Sequence, residues 1–138
     1  MTPDLDHENR TIVDLLREAI DGLFAVYRFG STVGGLAHQG SDTDVAVLAR
    51  APIPAVARFE IQERLASRLG RDVDLVDLSA ASPVMAIQVV ARGQLLYDGD
   101  STARGQFEDL TFGTYARLNE ERRGILERVA VEGTVYGR

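Results

Sequence analysis

Leu23-Phe24-Ala25-Val26-Tyr27-Arg28-Phe29-Gly30-Ser31, followed after ten residues by Asp42-Thr43-Asp44-Val45-Ala46-Val47-Leu48, decides how this chain folds. The apolar run from Leu23 to Tyr27 reads as a buried strand, and Gly30 beyond it permits a sharp turn and close approach to a ligand. Asp42 to Leu48 reads as a second strand. Alternate residues of a strand share a face, so Asp42 and Asp44 project together. Adjacent carboxylates repel one another, and a divalent cation between them relieves that repulsion. The chain has no Cys and only two His, so these hard oxygen donors favour Mg²⁺ over zinc.

The other half of the motif supplies a phosphate site. Ser31 offers a hydroxyl and an N–H, and Gly34 and Gly35 continue the turn. A short helix opening here would aim its unpaired N–H groups at the oxygens of a triphosphate. A P-loop is excluded because it needs a Lys before the Ser or Thr, and the sequence contains no Lys. Gly30, Gly34 and Gly35 also lack the G-x-G-x-x-G spacing of a dinucleotide fold. Together the turn and the D-x-D pair indicate metal-assisted nucleotidyl transfer.

Arg71-Asp72-Val73-Asp74-Leu75-Val76-Asp77-Leu78 reads as a third strand, with Asp72 and Asp74 on one face and Asp77 on the other. Two metal ions about 3.5 to 4 Å apart need more anionic oxygen than one D-x-D pair gives, so a neighbouring strand must contribute. Face parity alone leaves Asp72 and Asp74 both open. The G-S, D-x-D and V-D-L-V elements resemble the minimal nucleotidyltransferase (MNT) family of the DNA polymerase beta superfamily. There the third Asp precedes Leu-Val, as Asp74 does here, and this resemblance implies Asp74 as the third carboxylate.

The resemblance runs roughly from Tyr27 to Leu118 and includes Met85 to Asp98 and Phe107 to Tyr115, which are similar to the antitoxin branch of HEPN/MNT type VII toxin–antitoxin pairs. It implies an α/β (α+β) nucleotidyltransferase fold: a small mixed β-sheet flanked by helices, with a C-terminal helical segment. The implied activity is adenylylation of a tyrosine on a HEPN ribonuclease toxin, with ATP as substrate and two Mg²⁺ ions. Asp42, Asp44 and Asp74 would be the catalytic and metal-binding residues, and Gly30, Ser31, Asp42 and Asp44 the nucleotide-binding ones. One departure stands out: many relatives carry a basic residue where this chain has Gly34. Phosphate neutralisation then falls to metal or to an Arg elsewhere.

Composition narrows the setting. With 138 residues and 45% hydrophobic content, one domain can bury about two-thirds of its unfolded surface. Residues 1–138 are expected to form a single minimal nucleotidyltransferase domain, with a core over about 6–98 and helix over about 101–129. The absence of Cys fits a reducing cytoplasm. No apolar run approaches the roughly 18 residues of a membrane span, and the acidic start from Met1 to Asp6 does not resemble a signal peptide. A net charge of −6 argues against extended nucleic-acid binding, although fifteen Arg leave room for a local patch.

Helices are expected over Asp6–Gly22, Pro54–Leu69 and Ser82–Ala91, a short strand over Leu95–Tyr97, and one or two helices from Ser101 to about Val129, interrupted near Gly113 or Gly124. Val131 to Arg138 reads as frayed. Plain readings accompany the functional ones. Asp72 and Asp77 read as solvated strand acids, His7 as a surface residue and His38 as a solvated loop residue. Phe107, Leu110, Tyr115 and Leu118 have helical spacing, and packing against the body of the domain is their default role, with a docking surface as the sharper alternative. After the core elements only about 40 residues remain, too few for an acceptor-binding module, so the acceptor is expected to bring its own surface. A small hydroxyl substrate, as in aminoglycoside nucleotidyltransferases, and a non-catalytic binding antitoxin are the competing readings.

Overall fold

The computed structural model describes residues 3–30 and 43–132, with side chains over 6–30 and 43–124. Helix α1 spans Pro3–Ala19, strand β1 Leu23–Phe29, β2 Thr43–Ala49, helix α2 Ala55–Leu69 and β3 Val73–Asp77. A 3-10 turn follows at Leu78–Ala80, then α3 at Pro83–Arg92, β4 at Gln94–Asp98 and α4 at Ser101–Glu132. The strands form one mixed sheet in the order β3-β2-β1-β4. β1 is antiparallel to β2 and β4, whereas β2 and β3 are parallel, a pairing that needs a crossover, which α2 provides.

Both faces of the sheet are covered. On one, Val26, Val45, Val47 and Leu75 pack against Ile12, Leu16 and Ile20, and against Ile61 and Leu65 of α2. On the other, Ala25, Tyr27, Ala46 and Leu48 meet Ala86 and Val89 of α3, with Phe107 of α4 alongside. This explains why β1 reads as a continuous apolar run: its residues 24–28 are buried. Capping follows the sequence. Ser82 accepts a hydrogen bond from Met85 N at 3.1 Å at the start of α3, and Gly70 closes α2 in the left-handed region at φ 74°.

The Tyr27 hydroxyl donates to Glu108 Oε2 at 2.7 Å, and Arg104 joins Glu108 and Asp98 at 3.0 and 3.2 Å. Burial, reinforced by the Glu108 carboxylate, pushes the Tyr27 phenol above its ordinary pKa, so this ring stays protonated and ties α4 to the sheet. At the β3 edge, Leu75 N donates to Gln62 Oε1 at 2.9 Å, and Leu75 O accepts from Arg58 Nη1 at 2.9 Å. Among the described residues no helix is long and apolar enough to cross a membrane.

Three expectations change. The last helix is unbroken through Gly113 and Gly124, because a glycine in a helix costs only about 1 kcal/mol, too little to break a helix of 32 residues. Asp77 is 7% exposed, not solvated. Its carboxyl oxygens accept from Ile53 N at 3.0 Å and from Ser79 N and Oγ at 3.1 and 2.8 Å, tying the segment before α2 to the turn after β3. Asp77→Ala removes the acceptor of the half-buried Ile53 N and of Ser79, and should cost about 1 kcal/mol, read as a lowered urea midpoint at unchanged m-value. Of the α4 residues, Phe107 packs on the sheet-side cluster, but Leu110, Tyr115 and Leu118 are 64, 36 and 42% exposed.

Candidate active site

The parallel ladder of β2 and β3 makes Asp44 and Asp74 direct partners. Their side chains leave the sheet on the face shared with Ala46 and Val76, towards α3 and α4. Phe29, the last residue of β1, is the partner of Asp44 on the other side. The end of β1 and the starts of β2 and β3 therefore gather at one end of the sheet. Asp44 is half-buried there and Asp74 exposed.

Gly30 carries the tightest constraint. Its φ is +87°, and a Cβ placed on it would stand 2.0 Å from Asp44 Oδ2 and 2.9 Å from Asp44 Cγ. Two independent reasons thus demand glycine: the backbone conformation and the carboxylate lying against its Cα. The sequence pointed to close approach to a ligand here; the group that stands against Gly30 in the structure is the Asp44 carboxylate.

Asp72 precedes β3, and its carbonyl oxygen accepts from Thr43 N at 3.0 Å, extending the ladder. Ser31, Gly34, His38 and Asp42 lie outside the described residues. Among the described residues no three His, Cys, Asp or Glu side chains gather as a metal-binding set. Asp44 and Asp74 are the pair that the described strands bring together.

Sequence reasoning missed the support beneath this pair. On the opposite face Arg28 is 2% exposed, donating from Nη2 to Glu8 Oε1 at 2.6 Å and from Nη1 to Asn9 Oδ1 at 2.8 Å. Arg71 pairs with the same Glu8 and donates from Nε to Thr43 Oγ1 at 2.6 Å. Thr43 is fully buried. α1 is thereby bonded to the residue next to Asp44 and to the approach of β3. The available signal was Arg28 itself, a lone cation inside an apolar strand, which needs a buried anionic partner.

A cavity of about 480 Å³ opens beside Gly30, lined by Phe29, Gly30, Met85, Gln88 and Arg92. A second, of about 340 Å³, runs past Asp74 between β3 and the start of α2.

A turn that admits only glycine, set against paired carboxylates at the end of a helix-flanked mixed sheet, is the arrangement of a nucleotidyltransferase. The chain belongs to the polymerase beta nucleotidyltransferase family, whose model matches residues 10–102. Within that family it is similar to the protein adenylyltransferase MntA of Shewanella oneidensis, with 42% identity over 89% of this chain and 87% of the relative. A probable protein adenylyltransferase MntA of Haemophilus influenzae is 32% identical over 57% of this chain and 70% of its own length. Among solved structures, a toxin–antitoxin complex with AMP-PNP superposes with a TM-score of 0.79 at 41% identity, covering 88% of this chain and 98% of that one. A tri-AMPylated Shewanella oneidensis HEPN toxin in complex with its MNT antitoxin gives 0.76 at 38% identity, covering 91 and 98%.

Proposed function

We propose that this chain is an antitoxin enzyme that moves AMP from ATP onto a tyrosine of a HEPN-type ribonuclease toxin, silencing it. The observation that carries this reading is the pairing of Asp44 with Asp74 across β2 and β3, directly beside Gly30. The relatives solved with AMP-PNP and with an AMPylated HEPN toxin support both the nucleotide and the acceptor. The whole of residues 1–138 would act as one minimal nucleotidyltransferase domain, in the cytoplasm, where ATP and its partner are made.

The donor chemistry fits Mg²⁺: Asp44 and Asp74 offer only carboxylate oxygens, side by side. Asp42, two residues before Asp44 in the sequence, would complete the set. Bound there, Mg²⁺ supplies electrostatic stabilisation of the attacking and departing oxygens. Gly30 and Ser31 would hold the outer phosphates so that attack and departure lie in line, a positioning contribution. The acceptor hydroxyl oxygen bonds to the α-phosphorus, the bond to the β-phosphate oxygen breaks, and pyrophosphate leaves. Asp74, exposed at the mouth of the site, collects the proton of the acceptor directly or through water.

The exposed face of α4 gives the acceptor protein a surface. Tyr115 and Leu118 continue along the helix the stripe begun by packed Phe107 and buried Thr111. Incubated with Mg-ATP and the HEPN protein encoded beside it, the chain should add one or more AMP units to that partner, read by intact mass. An unmodified partner in a mixture where ATP is demonstrably bound overturns the proposal. Leu118→Arg should weaken association with the partner about tenfold or more, measured by titration, with ATP affinity unchanged.

A further inference from the structure

We infer that Arg92 supplies the cation that meets the outer phosphates of the nucleotide, reaching them through the cavity between α3 and the end of β1; this rests on the nucleotide-transfer reading above. The cavity, about 480 Å³, has Phe29 and Met85 as apolar wall and Gln88 and Arg92 as polar groups, with Gly30 as backbone floor. That is the size and make-up of a small-molecule site: mostly apolar, with a few convergent polar groups. Met85, Gln88 and Arg92 fall on one face of α3, at intervals of three and four residues.

Arg92 differs from the other arginines around the sheet. Arg28, Arg50, Arg71 and Arg104 each pair with a carboxylate, whereas Arg92 forms no ion pair or hydrogen bond with any described residue. Its position is nonetheless fixed. Gly93 N donates to Val89 O at 2.7 Å, and a Cβ on Gly93 would come within 3.3 Å of Arg28 O, so the last turn of α3 is pressed against β1. Gln94 then pairs with Arg28 as β4 begins. The backbone at Arg92 is thus held against β1, and its side chain lines the cavity with Phe29 and Gly30, at a helix C-terminus where positive charge is favoured.

Electrostatics favours such a group. The chain carries a net charge of −6 and no Lys, and the site presents Asp44 and Asp74. A polyphosphate entering that field gains from protein positive charge in addition to that of Mg²⁺, and a guanidinium offers it in a geometry matched to phosphate oxygens. Gln88, one turn earlier, can donate its amide to the same oxygens or to the ribose.

Binding of Mg-ATP to the full chain by calorimetry tests the inference, with R92Q and R92K beside the wild type and urea midpoints measured for all three. R92Q is expected to weaken Mg-ATP binding roughly ten- to a hundredfold at an unchanged midpoint, and R92K to recover part of the loss. Equal affinity of R92Q and wild type overturns the assignment, as does an R92K no better than R92Q, which marks a disturbed cavity instead of a lost charge contact. A wild type that binds no Mg-ATP would sink the nucleotide-transfer reading itself and this inference with it.

Discussion

Asp44→Asn is expected to slow AMP transfer roughly a hundred- to a thousandfold, the loss that follows removal of a transition-state charge stabiliser. Asp44 lies half-buried as the second residue of β2, with Asp74 as its partner on β3. The substitution keeps the shape of the side chain and removes its negative charge, so chemistry should be lost while the fold is kept. The measurement is AMP incorporation into the HEPN partner under single-turnover conditions, with the urea midpoint as control. Toxin activity in the same mixture gives the sharper reading. If the Asp42→Asn/Asp44→Asn double variant still silences the toxin, inhibition is by contact and the enzymatic interpretation is wrong. Asp74→Asn should lose a similar factor, because it removes the proposed proton acceptor.

Gly30→Ala should be nearly as damaging, for a different reason. At φ +87° an L-residue is strained, and the added methyl would stand 2.0 Å from Asp44 Oδ2. Left-handed backbone costs about 1–2 kcal/mol for a residue with a Cβ, and the carboxylate must also swing out of place. Transfer activity is expected to fall at least about a hundredfold, with a lowered unfolding midpoint. The two causes separate in a double-variant cycle: in an Asp44→Gly background the steric part of the Gly30→Ala penalty disappears and the backbone part remains. Additive penalties would mean that Gly30 and Asp44 do not touch.

The same residues show what a sequence alone makes legible. Strand parity was readable over β2 and β3, where Asp44 shares a face with Ala46 and Asp74 with Val76, because a period of two is a local property. Helix boundaries near Pro54, Gly70 and Ser82 were readable because caps and breakers are local as well. Asp77 shows the limit. Parity correctly turned it away from Asp74, but not even that told that its oxygens would receive Ile53 N, 24 positions earlier in the chain. Arg28, Glu8 and Arg71 form a partly buried charge cluster spanning 63 positions, and nothing in local spacing joins them. On α4 the apolar spacing was legible, but not how far the helix outruns its support: its 32 residues are about 48 Å long. Whether an apolar stripe is core or surface depends on what stands opposite, which periodicity does not encode.

Leu75 sits on the outer strand of the sheet with both of its main-chain hydrogen-bonding groups occupied, one by the Gln62 amide and one by the Arg58 guanidinium. A foreign strand seeking to extend the sheet there would have to evict two side chains before gaining a single bond of its own. The middle of that border is therefore guarded by side chains reaching over from α2.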